Sequence, residues 1–216
     1  MDKYYKFVNG KSLKINSIWC VGRNYADHAK EMGASTESEP IIFLKASTSA
    51  VLDNKFALAN FSNEVHFETE LVVVINQDIH NVEAENARQY IAGIGLGLDL
   101  TLRDIQSELK KKSLPWALSK SFYQSAPLSE IIDIDNINID RLKFEMSLNG
   151  KLTQSGDTND MIFSIEELIS YISKRFSLQK GDCIMTGTPA GVGKLNSKDK
   201  IKATLENKLN WELEVL

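Results

Sequence analysis

The sequence predicts a mainly β fold with short helices (α+β), because strand signals outnumber helix signals along the chain. Val65 to Ile75 is a long run rich in β-branched residues, which suits a pleated, packed surface. Leu142 to Leu148 alternates strictly, with Phe144, Met146 and Leu148 set against Lys143, Glu145 and Ser147. It runs into Asn149-Gly150, a strong two-residue hairpin signal. The clearest helix start is Ser164 with Glu167 three residues on, a capping box ahead of Leu168, Ile169 and Ile172.

The remaining elements follow in order. Ile15 to Val21 reads as a strand leading into Gly22, and Asp27 to Met32 as a short helix. Ile41 to Leu44 is a short apolar strand. Val82 to Tyr90 reads as a second helix. Ile91 to Thr101 is a strand carrying Gly93, Gly95 and Gly97, which permit close backbone approach or a bulge. Thr101 is placed to cap a third helix, with Asp104 three residues on. Lys200–Leu205 and Leu209–Val215 form a last strand pair with Asn207 near the turn.

Composition excludes several classes. The chain has 216 residues, 43% hydrophobic and 25% charged, and a net charge of −4, which gives no support for nucleic acid or an anionic membrane as partner. The basic run Lys110-Lys111-Lys112 reads as a solvated helix end, where cations are favourable. No Pro/Gly/Ser-rich linker or repeat divides the chain, so residues 1–216 are expected to form one catalytic domain. Cys20 and Cys183 lie far apart in apolar runs and read as buried thiols. The N-terminus lacks the apolar stretch of a signal peptide, so a cytoplasmic location is expected.

The most informative residues are three carboxylates in apolar runs. Side chains alternate along a strand, so Glu68 and Glu70 project to one side, and Asp99 ends the next apolar run. Buried carboxylates must be paired, hydrogen-bonded or metal-bound. An all-oxygen set suits Mg²⁺, Mn²⁺ or Ca²⁺, and ion pairs at a strand edge are the alternative. His28 and Glu31 lie three apart on one helix face, an arrangement for a general base or for a plain surface pair. Lys120 is a lone cation in a mildly apolar stretch, which also suits a solvated loop lysine. The segment Gly187-Thr188-Pro189-Ala190-Gly191-Val192-Gly193-Lys194-Leu195 ends like a phosphate-binding loop. Thr188 and Leu195 break that pattern.

Seven segments in collinear order, CVGRNYADHAKEM, IIFLKAST, HFETELVVVI, GLDLTLRDIQ, KSLPWALSKSF, MIFSIEELISYIS and LQKGDCIMTGTPAGVG, resemble the fumarylacetoacetate hydrolase family. The similarity spans residues 18 to 205 and points to the short, single-domain acylpyruvase and oxaloacetate decarboxylase branch. The resemblance implies a mixed β-roll or β-sandwich and a homodimer. It implies metal ligands Glu68, Glu70 and Asp99, and a catalytic dyad of His28 and Glu31 on a mobile lid. Lys120 falls on the family's active-site lysine. Arg103 and Gln106 match its substrate-facing pair, Thr188 matches a substrate-contacting loop, and Arg23 and Tyr25 lie in its N-terminal motif. The polar segment Gly33 to Pro40, punctuated by Gly and Pro, suits the lid or, equally, a plain surface loop. Departures occur at Ala46, where many relatives have Pro, and at Tyr123-Gln124-Ser125 and Ser129-Glu130.

The resemblance implies a small 2-oxo acid substrate and Mg²⁺. The leading expectation is hydrolysis of the C–C bond of 3-acylpyruvates to pyruvate and a carboxylic acid, with oxaloacetate decarboxylation through the same enolate. The alternative is an isomerase or tautomerase of a 2-hydroxy-dienedioate or oxaloacetate. A catalytically silent binding protein ranks last, since the inferred ligands and the dyad are all present.

Overall fold

The protein is described by a computed structural model, covering residues 2–31 and 38–216. The expected lid segment falls largely outside the described residues. The run predicted as one strand from Val65 to Ile75 is two strands, Val65–Phe67 and Thr69–Ile75, and the break falls at Glu68. The second piece is central in a six-stranded mixed sheet. Its order is Ile132–Asp133, Ile91–Leu98, Thr69–Ile75, Cys183–Met185, Ile18–Gly22, Ile41–Lys45. Leu71, Val73 and Ile75 face the main core, and Val72 and Val74 face a second core on the other side. Burial on both faces explains why this run is continuously apolar instead of alternating.

A five-stranded sheet lies against the main core, in the order Lys151–Asp157, Lys143–Leu148, Lys200–Leu205, Leu209–Val215, Lys55–Phe56. Its Phe144 and Met146 point inward while Lys143 and Glu145 are exposed, as the alternation requires. Asn149 and Gly150 both have positive φ, 53° and 82°, which a type I′ hairpin demands. The C-terminal strand pair spans the predicted residues.

Both readings of the glycine strand hold. The register shifts between Val74 and Ile75, opposite Gly93 and Ile91, which is a bulge. The same glycines admit the 129–132 segment onto the sheet. A Cβ at Gly93 would lie 2.3 Å from the carbonyl oxygen of Ile132, and one at Gly95 would lie 2.9 Å from that of Glu130.

The described α-helices are α1 (Ala26–Glu31), α2 (Arg103–Lys111), α3 (Ala117–Lys120) and α4 (Ile165–Phe176). The capping box of α4 forms as predicted: Ser164 Oγ accepts from the Glu167 amide, and Glu167 Oε2 accepts from the Ser164 amide at 2.8 Å. Its Leu168, Ile169 and Ile172 are buried. Two helix readings are corrected. Residues Ala84–Tyr90 form a 3-10 helix. Thr101 does not cap α2, whose N-cap is Leu102. Thr101 pairs with His66 in a short strand, and its hydroxyl donates to the Asp99 carbonyl at 3.1 Å. Cys20 and Cys183 are free, buried thiols, and burial raises both above their ordinary pKa, Cys183 to about 12. No helix among the described residues is long and apolar enough to cross a membrane.

Candidate active site

The carboxylates meet where two paired strands leave one sheet together and enter another. Val65–Phe67 pairs with Thr101–Leu102 and Gly193–Lys194 in a small separate sheet. Thr69–Ile75 pairs with Ile91–Leu98 in the large one. Glu68 and Asp99 occupy the two breaks, and the Asp99 amide donates to the Glu68 carbonyl at 2.8 Å. Glu70 is the second residue of the strand that follows. Glu68 therefore reaches the cluster from a break instead of from a shared strand face. Ligand oxygens of Glu68, Glu70 and Asp99 all lie within 4.8 Å of one another, and the three residues are buried.

Three cations face them. Lys120 ends α3, is only 3% exposed, and donates to Glu68 Oε2 at 2.7 Å and to Asp99 Oδ2 at 2.6 Å. It is no solvated loop lysine. Arg103, the first residue of α2, donates to Glu68 Oε1 at 2.6 Å and to Gln106 Oε1 at 2.7 Å. The third cation, Lys45, is not among the site residues expected from the sequence. It is buried at the end of the Ile41–Lys45 strand, with Nζ 2.9 Å from Asp99 Oδ1. Its Nζ also donates to the Leu100 carbonyl at 3.0 Å and to the Lys120 carbonyl. The contact with Asp99 is an ion pair without hydrogen-bond alignment: Oδ1 is buried and accepts no hydrogen bond among the described residues.

This setting separates the carboxyls. Burial works against ionising Glu68, but the charges of Lys120 and Arg103 outweigh it, and the group sits well below the ordinary carboxylate range. Glu70 shifts the other way. Burial, then Asp99 and Glu68, raise it well above that range, against Lys120 and the Gly187 amide, which donates to Oε2 at 2.8 Å. Burial opposes the charge of Lys120, yet Asp99 and Glu68 hold its pKa up. An all-oxygen donor set, a buried unbonded Asp99 oxygen and a carboxyl strained by its like-charged neighbours fit a hard divalent cation.

His28, on α1, is buried and lines the same cleft. Its Nδ1 lies 3.4 Å from Glu31 Oε2, and Glu31 also accepts from the Gly191 amide at 3.2 Å. Burial lowers the His28 pKa, opposed by Glu68 and Glu31. That shift favours the neutral imidazole, the form a general base needs. Arg23, Arg103, Gln106, Lys120 and Thr188 line this cleft too, which has a free volume of about 30 Å³.

The Thr188 hydroxyl donates to the Thr69 carbonyl at 2.8 Å and accepts from Gln154 Nε2 at 2.8 Å. Gln154 also accepts from the Thr69 amide, so this buried residue, missed in the sequence, ties the 187–189 loop to the Thr69–Ile75 strand. Its signal is a polar side chain on the inward face of an alternating strand. Tyr25 does not line the cleft. Its ring is in the core, and its hydroxyl is buried without a hydrogen bond among the described residues. The departures at 123–125 and 129–130 also lie outside the cleft lining. A larger cavity of about 750 Å³, bordered by Phe7, Asn76 and Asp133, gathers no comparable cluster.

The fold and site define a β scaffold that buries a carboxylate–cation cluster beside a buried histidine at the junction of two sheets. The chain belongs to the fumarylacetoacetate hydrolase family, whose model for the fumarylacetoacetate (FAA) hydrolase C-terminal domain matches residues 17–214. It is 44% identical over 201 residues to the mitochondrial oxaloacetate tautomerase of Bos taurus, covering 92% of this chain and 91% of that one. It is 42% identical over 195 residues to the oxaloacetate tautomerase YcgM of Escherichia coli, covering 89% of each. The fold superposes with a TM-score of 0.95 on a fumarylpyruvate hydrolase from Pseudomonas aeruginosa in complex with Mn²⁺ and pyruvate. That pair is 28% identical, over 100% of this chain and 96% of that one.

Proposed function

We propose that the protein is a divalent-metal-dependent enzyme that interconverts the keto and enol forms of oxaloacetate or a closely similar 2-oxo acid. The observation that carries this reading is the buried His28, its Nδ1 facing Glu31, opening on the same cleft as the carboxylate cluster. Enolisation takes a proton from C3 and, through an enolate whose charge must be held, returns one to the 2-oxo oxygen; ketonisation runs the same transfer backwards. With Nδ1 turned to Glu31, His28 Nε2 is the nitrogen that takes the proton, and Glu31 fixes the ring. Lys120 and Arg103 add fixed positive charge on the side where the enolate oxygen develops. Glu68, Glu70 and Asp99 would hold Mg²⁺, or Mn²⁺ or Ca²⁺. The ion's chemistry is Lewis acidity toward that oxygen and orientation of the 2-oxo acid.

The names of the similar proteins support the tautomerase over the hydrolysis expected first from the sequence. Hydrolysis stays the second reading, favoured by the likeness to the fumarylpyruvate hydrolase and by a dyad that could equally deprotonate water. The homodimer implied by the family resemblance belongs to the same proposal.

The test follows enol-oxaloacetate absorbance and pyruvate release from acetylpyruvate, each with Mg²⁺ and then with EDTA. EDTA-sensitive ketonisation that outpaces pyruvate release is expected. Comparable pyruvate release would return the reading to a hydrolase, and silence in both assays would remove it.

The pH profile is a separate check. Because burial lowers the His28 pKa from the ordinary 6.5 and the base acts in its neutral form, the acid limb of kcat/KM should be centred below 6.5. His28→Ala should lower the rate by about 10²–10⁴-fold, the usual share of a positioned base, and remove that acid limb. An acid limb centred above pH 7 would exclude His28 as the base.

A further inference from the structure

The lysine run at the end of α2 is not uniform. Lys111 pairs with Glu108 at 2.9 Å in solvent, and Lys112 is exposed. Lys110 is half-buried and lines the active-site cleft. The reading of all three as a solvated helix end is corrected at this residue. Arg103, Gln106 and Lys110 stand at i, i+3 and i+7, a spacing that puts them on one helix face, and all three line the cleft. Lys110 Nζ lies 5.2 Å from the centroid of the Trp116 ring, which holds it there.

Its electrostatic setting is unlike that of the inner cations. Arg103 and Lys120 are engaged with Glu68 and Asp99, and Lys45 with Asp99. Lys110 has no carboxylate within ion-pair distance among the described residues. Burial, then Arg103, Arg23 and Lys120, work against its charge, and Glu68 only partly offsets them. A half-buried cation pressed among cations is costly unless an anion joins it. The helix dipole accounts for lysines at this terminus, but Lys111 and Lys112 meet that role in solvent. Lys120 is buried and Lys110 half-buried, so Lys110 is the more solvent-accessible of the two cations on this cleft.

We propose that Lys110, held by Trp116, is the specificity-determining residue that binds the distal carboxylate of a dicarboxylate 2-oxo acid and so selects dianionic over monoanionic substrates. This rests on the 2-oxo acid reading of the site. Oxaloacetate extends pyruvate by that one carboxylate, so the pair of ligands isolates it.

Binding of pyruvate and of oxaloacetate to the Mg²⁺-loaded protein is measured by calorimetry, for wild type, Lys110→Gln and Lys110→Arg. Wild type should prefer oxaloacetate. Lys110→Gln should lose about tenfold or more of that preference, the loss a charge-assisted hydrogen bond to a carboxylate commonly carries. Lys110→Arg should keep most of it. Pyruvate binding by Lys110→Gln shows that the variant is folded. Equal affinity of wild type for both ligands, or an unchanged preference in Lys110→Gln, overturns the role of Lys110 and leaves the 2-oxo acid reading standing. Binding of neither ligand by wild type overturns both.

Discussion

Replacing Lys120 by Met should lower the stability of the metal-free protein by about 3–5 kcal/mol, the cost of breaking a buried ion pair from one side. Methionine keeps the length and the apolar stem, so the change removes charge more than volume. Lys120 bridges Glu68 and Asp99 at 2.7 and 2.6 Å, where all three groups are buried. Without it, Glu68 retains Arg103 and Asp99 retains Lys45, but each carboxylate keeps an oxygen whose cation has gone. For a domain of this size each kcal/mol moves Tm by roughly 2–4 °C, so a fall of ~10 °C in EDTA is expected. Mg²⁺ should then recover more stability in the variant than in wild type, because a ligand that binds only the folded state adds stability by mass action. The carboxylates left short of a cation, Glu68 and Asp99, are two of the three proposed to hold the ion. The rate with saturating Mg²⁺ should still fall about 10²–10³-fold, as when one fixed oxyanion partner is lost. Thermal melts with EDTA and with Mg²⁺ check this. Identical melting in EDTA would remove the ion-pair account, and equal gains from Mg²⁺ would separate Lys120 from the metal site.

What could be read from the sequence follows the range of the interactions. The Asn149-Gly150 hairpin, the Ser164–Glu167 box and the C-terminal strand pair are fixed by residues a few positions apart, and the structure places each where expected. The Thr101 cap was a local inference defeated by a distant partner: pairing with His66 takes Thr101 into a strand. The break at Glu68 is likewise invisible in the HFETELVVVI run, because it arises where the strand changes sheets. Glu68, Glu70 and Asp99 stood out because charge inside apolar runs is costly. Lys45 carried the same signal, a cation closing the apolar strand Ile41–Leu44, and its partners lie 54 to 75 residues away. Sequence spacing cannot supply such partners. Gly187 contributes only a backbone amide to Glu70, which no residue type announces. Lys110 was hidden by its neighbours, since a run of three lysines reads as solvated until the helix face is known.

Glu70 separates two demands that usually coincide. Glu70→Gln should raise the stability of the metal-free protein by about 0.5–2 kcal/mol, the range commonly gained when one unfavourable interaction is relieved. The same change should weaken Mg²⁺ binding at least about a hundredfold, since it alters a proposed ligand and not an outer-shell group worth roughly 10–100-fold. The amide preserves shape and can still accept from the Gly187 N–H, while the charge crowded by burial, Asp99 and Glu68 is gone. The pH dependence fixes the sign. A carboxyl raised in the folded state contributes stability below its ordinary value of 4.5, and that contribution is lost as pH rises through the raised value. The advantage of Gln over Glu should therefore be absent below pH 4.5 and grow above it. Urea unfolding at pH 4 and pH 7.5 reads the first effect, and Mg²⁺ calorimetry reads the second. A variant less stable at pH 7.5 would show Glu70 to be a stabilising partner in the cluster. A variant with unaltered Mg²⁺ affinity would remove Glu70 from the proposed ligand set, whereas opposite signs in the two measurements are what a carboxylate placed for a cation requires.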